Sequence, residues 1–309
     1  MKKSGTISNN YLYLLMALHV FGAAGTFVFS KAAAISFANP LVLTVMRGLG
    51  SSVIFLIFTG WKIPKPDFTF KEWLFLLFLG ILLVPMNQYC FLKGLELTVP
   101  GHSALLYAMT PLGVLLLTSA RAKKTPSLKT FFGIFIAFSG VIIVLRPWNT
   151  GNQISELRLG DLWLIGAVLC WVVYTVLASD ICKKKNVLTV TAWSLILGVL
   201  IMLPFSFESI KTFNFSAVSN AGWFGLVYMM IITSTVMMIV WNVLLQHLTP
   251  VQVSITTNAQ PPATTLLAAA MALVGILPGD QDLGILFFMG MMLSLFGVIL
   301  IQKTKFKKG

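Results

Sequence analysis

Ser254, Thr257, Asn258, Pro261 and Thr265 recur at i, i+3, i+4, i+7 and i+11, so on a helix they form one polar stripe. Inside an apolar run such a stripe either hydrogen-bonds a neighbouring helix or lines a cavity where it meets a solute. Gln260 extends the polar surface, and Pro261-Pro262 removes two amide donors, freeing carbonyls that can bind a solute near mid-membrane. GHSALLYAMTPL at 101–112 overlays QVSITTNAQPPA at 252–263, pairing Tyr107 with Asn258 and Pro111 with Pro262. Tyr107 offers an aromatic face and a hydroxyl, a combination suited to organic metabolites.

Other polar and aromatic groups join this set. Asn87, Gln88 and Tyr89 stand in succession, so at least one must turn away from lipid, and Asn87 and Tyr89 are the expected cavity residues. Trp163, Trp171 and Tyr174 share a helical face; Trp163 fits an interfacial belt, whereas Trp171, Tyr174 and Trp241 lie deeper and wall a cavity or pack. The expected substrate-binding residues are therefore Asn87, Tyr89, Tyr107, Trp171, Tyr174, Trp241, Thr257, Asn258 and Gln260. Arg47, Pro111, Pro261 and Pro262 are expected to be structural or gating residues. Arg47 shares its helix with no carboxylate, and Glu96, Asp161 or helix-terminal carbonyls are its expected partners, with a substrate anion as the alternative. Lys31 is expected to snorkel. The three histidines and three cysteines have no metal-ligand spacing, so no metal and no cofactor are expected. No Asp or Glu sits at the centre of an apolar run, which gives a carboxylate relay no support.

These groups must be held by membrane helices. Of the 309 residues 57% are hydrophobic and 10% charged, which excludes a soluble enzyme and a disordered chain. Apolar runs long enough to cross a bilayer fall at about 11–30, 40–60, 73–92, 102–119, 128–145, 161–179, 188–205, 222–245, 252–276 and 283–301. Asn39-Pro40, Pro64 to Pro66, Pro100-Gly101, Pro126, Pro147 to Gly151 and Pro278-Gly279 break the chain between runs. The first run is too long for a signal-peptide core and is read as a retained span.

The net charge of +13 follows from topology, with no nucleic-acid partner implied. The basic residues at 2–3, 62–71, 121–129, 183–185 and 303–308 fall on one side of ten spans. Lys31, Lys93, Arg146, Arg158 and Lys211 fall on the other. Both termini are then cytoplasmic in a plasma (inner) membrane protein. Because each copy of the internal repeat holds five spans, the second copy must enter from the opposite side, giving two inverted halves around a central cavity.

NPLVLTVMRGLGSSVIFLIF at 39–58, GLELTVPGHSALLYAMTPL at 94–112 and FFGIFIAFSGVIIVLRP at 131–147 resemble the first EamA-type repeat of the drug/metabolite transporter superfamily. GDLWLIGAVLCWVVYTVLA at 160–178, VWNVLLQHLTPVQVSITTNAQPP at 240–262 and GVILIQ at 297–302 are similar to the second, so the resemblance covers nearly the whole chain. It implies an all-α integral membrane protein of ten helices, with repeats at 1–149 and 150–309 and transport of small metabolites, often outward. Amino acids or similar zwitterionic or neutral compounds are the expected substrates, and the bilayer is the expected partner of a monomer or homodimer. The competing classes are a membrane enzyme, for which no acid clusters with a histidine in a recognisable sequence motif, and a channel or scaffold.

Overall fold

Helix boundaries follow local turn chemistry. The computed structural model describes residues 9–58, 67–125, 127–145, 152–275 and 284–303. They form α1 (Asn9–Phe37), α2 (Pro40–Phe58), α3 (Phe70–Leu97), α4 (Pro100–Arg121), α5 (Leu128–Leu145), α6 (Asn152–Cys182), α7 (Val187–Lys211), α8 (Asn220–His247), α9 (250–273) and α10 (Ile285–Lys303). The described residues include no strand.

Between α1 and α2, Ala38 turns the chain with a φ of 47°, and the Asn39 side chain accepts the Val42 amide at 3.2 Å ahead of Pro40. Thr69 and Glu72 make a reciprocal capping box at the start of α3, and Thr249 and Gln252 repeat it before α9. Asn186 and Ser219 cap α7 and α8. The breakers at 64–66, 126, 147–151 and 278–279 lie outside the described residues, as do Lys2, Lys3, Lys62, Lys65, Arg146 and the bases at 305–308.

Seven helices are long and apolar enough to cross a membrane, namely α1 to α4 and α6 to α8. The shorter apolar stretches Phe132–Val144 and Ile285–Gly297 belong to α5 and α10. Four helices are irregular. α3 opens into a π-helical turn over Leu82–Gln88 around Pro85, and α8 into another over Met229–Met237. α4 breaks at Ala108-Met109, and α9 passes through a 3₁₀ turn at Ile255–Ala259. Pro111, Pro261 and Pro262 do not interrupt a continuous helix, as the double proline suggests. Pro111 and Pro261 lie in the first turn of the helical pieces Thr110–Arg121 and Gln260–Leu273, where a missing amide leaves no bond unmade.

The packing has a regular scheme. α3 crosses α6 and α7, α8 crosses α1 and α2, α4 lies on α6 and α9 on α1, α2 meets α7, α4 meets α9, and α5 pairs with α10. Exchanging every helix for the one five places later returns the same set of contacts. Small residues permit the closest crossings. A Cβ on Gly80 of α3 would stand 2.6 Å from the Ser194 carbonyl of α7, and one on Gly140 of α5 would stand 2.4 Å from the Gly290 carbonyl of α10.

Charged groups collect at the two ends. Lys185 pairs with Glu72 at 3.3 Å, and Arg121 with Asp180 at 2.8 Å, at the end where α3 and α7 begin. At the other end Lys93 pairs with Glu96, and the His102 ring meets Asp161 at 3.3 Å. Lys31 does not snorkel. It is buried, and its Nζ donates to the carbonyls of Leu95 and Glu96 at 2.9 and 3.0 Å, holding the last turn of α3 against α1.

A cavity between the helices as the candidate functional site

Seven helices enclose one cavity, of about 650 Å³ counted out to its open mouth. α1 supplies His19, Thr26 and Phe27, α2 supplies Arg47, and α3 supplies Leu83, Asn87, Gln88 and Phe91. Tyr107 comes from α4, Trp171 from α6, Thr233, Met237 and Met238 from α8, and Thr257 and Gln260 from α9. Both π turns and the 3₁₀ turn of α9 therefore contribute wall residues. Irregular backbone at membrane depth is tolerated where it lines a cavity.

The expected residues separate into two groups. Asn87, Tyr107, Trp171, Thr257, Gln260 and Arg47 stand on the wall. Tyr89 does not; its ring meets Trp163 edge-on at 6.0 Å, because the π turn ends just before it and rotates the following helix. Gln88 takes the wall position instead, with 2% of its surface exposed. Tyr174 and Trp241 are sealed behind Trp171: Tyr174 stacks on it at 5.4 Å, and Trp241 lies tilted against it at 5.1 Å. Asn258 falls off the wall because the 3₁₀ turn breaks the α-helical stripe that would align it with Ser254 and Thr257, and both its amide atoms lack a partner among the described residues. Pro111, Pro261 and Pro262 are also outside the wall.

Side-chain hydroxyls on the wall are largely spent on their own helices. Thr26 Oγ1 donates to the Gly22 carbonyl at 3.0 Å and lies 2.8 Å from Thr233, while Thr257 Oγ1 donates to the Ser254 carbonyl at 2.7 Å. Asn87 Nδ2 donates to the Ala167 carbonyl at 2.8 Å and to Tyr107 Oη at 2.9 Å, tying α3 to α6 and α4. Tyr107 is held edge-on by Phe27 and Phe91, with centroids at 5.5 and 5.7 Å.

Arg47 has other partners than those its sequence context suggests. Its Nε donates to Ser234 Oγ at 2.6 Å, and Nη1 approaches Met229 Sδ at 4.0 Å, both on the π turn of α8. The carboxylates are engaged elsewhere, Glu96 with Lys93 and Asp161 with His102 and Thr98. His19 also lies on the wall, its Nδ1 at 3.4 Å from Thr256 Oγ1 and its ring against Trp241 at 4.8 Å. Its position is legible in hindsight from the face it shares with Gly22, Thr26 and Ser30. Among the described residues no three His, Cys, Asp or Glu side chains gather as a metal site.

The fold is thus a bundle of helices, seven of them long and apolar enough to cross a membrane, around a cavity lined by polar and aromatic side chains. The profile of the EamA-like transporter family matches residues 10–146 and again 158–302, and the chain belongs to that family. An uncharacterized transporter of Archaeoglobus fulgidus is 27% identical over 84% of this chain and 89% of its own length. The uncharacterized transporter YyaM of Bacillus subtilis is 25% identical over 97% of both chains. The WAT1-related protein At3g02690, chloroplastic, of Arabidopsis thaliana is 22% identical over 66% of this chain and 50% of its own. A solved crystal structure superposes with a TM-score of 0.63 over 93% of this chain and 98% of the other at 14% identity, a likeness of fold.

Proposed function

We propose that the protein is a permease for small organic metabolites, amino acids and similar zwitterionic or neutral compounds among them, working by alternating access at the midplane cavity. The observation that carries this reading is the wall itself: Asn87, Tyr107, Trp171 and Gln260 converge there from four helices. A largely apolar pocket with a few convergent polar groups is what recognition of small molecules needs.

The architecture in this reading is two inverted five-helix repeats, at 1–149 and 150–309. Its support is that the π turns in α3 and α8 and the breaks in α4 and α9 fall at matching places, and that helix contacts survive exchange of the halves. With the bases at 71, 121–124 and 183–185 facing the cytoplasm of an inner membrane, both termini face it too. Each chain, alone or in a homodimer, holds its own cavity.

Purified protein in liposomes should move labelled amino acids or neutral metabolites, and Tyr107→Ala should abolish that movement while the protein remains folded. Conduction of inorganic ions alone, with no organic solute moved, overturns the permease reading.

A further inference from the structure

The cavity wall contains one arginine and no Asp or Glu. Arg47 is 5% exposed, and a buried cation without a counter-charge is costly, so the missing anion calls for an explanation. Among the described residues its hydrogen-bond partners are Ser234 Oγ and the weakly accepting Met229 sulfur. A guanidinium has five N–H groups, and the pair of partners leaves most of them with no oxygen acceptor.

Two further donors face the same space. Asn87 Nδ2 is fixed as a donor by the Ala167 carbonyl, so Tyr107 Oη accepts from it and the tyrosine proton is left to donate elsewhere. Gln88 is buried on the wall, and neither atom of its amide has a hydrogen-bond partner among the described residues. An unsatisfied buried amide is unusual enough to need a cause. Arg47, Tyr107 and Gln88 come from α2, α4 and α3, and what they hold in common is unspent N–H or O–H. Phe27, Leu83, Phe91, Trp171, Met237 and Met238 give the wall its apolar surface, and the other polar side chains on it, among them Thr26, Thr233, Thr257 and Gln260, carry no charge.

Resting on the permease reading above, we propose that the cavity binds the carboxylate of an organic acid with an apolar body. Arg47 is the counter-ion, and Tyr107 and Gln88 are additional donors. With no acidic side chain on the wall, a substrate ammonium gains no ion pair, so the amino group of an amino acid is dispensable and the carboxylate is not.

The test uses full-length protein in detergent and four probes of one carbon skeleton: leucine, 4-methylpentanoate, leucinamide and 4-methylpentanamide. Ligand-induced thermal stabilisation reports binding to the folded state. Leucine and 4-methylpentanoate should bind within about tenfold of each other, and both amides roughly 30-fold or more weaker. Arg47→Gln should bring the acids down to the level of the amides, and Arg47→Lys should recover part of the difference. Should Arg47→Gln fail to fold, the wild-type series decides alone. Amides that bind as tightly as the acids overturn the proposal, as does silence from all four probes. If leucinamide is also carried into liposomes, the anion site falls and the permease reading stands. If no organic solute is carried, the permease reading itself falls.

Discussion

Two asparagine–tyrosine pairs bind helices together inside the bundle, and they differ in what they leave over. Asn242 donates to Tyr174 Oη at 3.0 Å and to Thr191 Oγ1 at 2.8 Å, joining α8 to α6 and α7 with no residue of the trio on the cavity wall. Asn87 and Tyr107 join α3, α4 and α6 by the same chemistry, yet both stand on the wall. The first network is closed and serves the fold. The second holds its residues on the cavity wall with a tyrosine proton and the asparagine oxygen unspent among the described residues. Polarity in a membrane helix therefore does not distinguish clasp from site; the count of unspent donors and acceptors does.

Replacing Asn242 by Leu should produce the largest effect. It leaves the Tyr174 hydroxyl without its partner in an apolar interior, while Thr191 keeps its bond to the Val187 carbonyl, at a cost of about 1–3 kcal/mol. Thermal unfolding of the detergent-solubilised protein should fall by several degrees, while transport per folded molecule changes little. If stability holds and transport is lost, the distinction between the two pairs collapses. Asn87→Ala should do the reverse, reducing transport about tenfold or more with a stability loss near 1 kcal/mol. Tyr107→Phe retains the ring between Phe27 and Phe91 and removes only the hydroxyl, so transport should weaken by roughly 5- to 10-fold with stability nearly unchanged. The smallest effect belongs to Asn258→Ala. That amide has no hydrogen-bond partner among the described residues and lies off the wall, so stability and transport should stay within about 0.5 kcal/mol of the parent. A transport-dead Asn258→Ala with normal folding would restore the equivalence with Tyr107 that the aligned segments suggest.

Much of the architecture was legible because it depends on local chemistry. Asn39-Pro40 and Pro100 start helices where proline and local capping require, the weakly marked boundary at Thr249-Pro250 turns out to be a full capping box, and the aligned segments 101–112 and 252–263 both contain a helix break. The site was legible in part. Asn87, Tyr107, Trp171, Thr257 and Gln260 were picked out as polar or aromatic groups deep in apolar runs, and they meet at one cavity. The remainder depended on helix rotation. α6 and α8 are apolar nearly all round, so no stripe in the sequence shows that Tyr174 and Trp241 sit behind Trp171. Ser234 lies 187 positions from Arg47, and nothing local announces that pairing. Lys31 took the helix-terminal carbonyls expected for Arg47 because α1 continues to Phe37, well past its expected end.

The π turn of α3 amounts to a one-residue insertion that the helix absorbs without unravelling. The Tyr89 amide reaches back to the Val84 carbonyl, five residues away, in addition to its shorter bond. Deleting one residue within 82–88 would restore ordinary winding and leave the residues beyond it on the faces they already occupy, because the wider turn takes up the ~100° of one extra residue. Tyr89 would keep its place against Trp163, and Glu96 would stay beside Lys93 and Lys31, while the residues of the turn itself, Asn87 and Gln88 among them, would be re-ordered. In this helix a difference in length of a single residue would rewrite the wall at the turn alone, a route by which related chains could exchange specificities while both ends of the helix keep their packing.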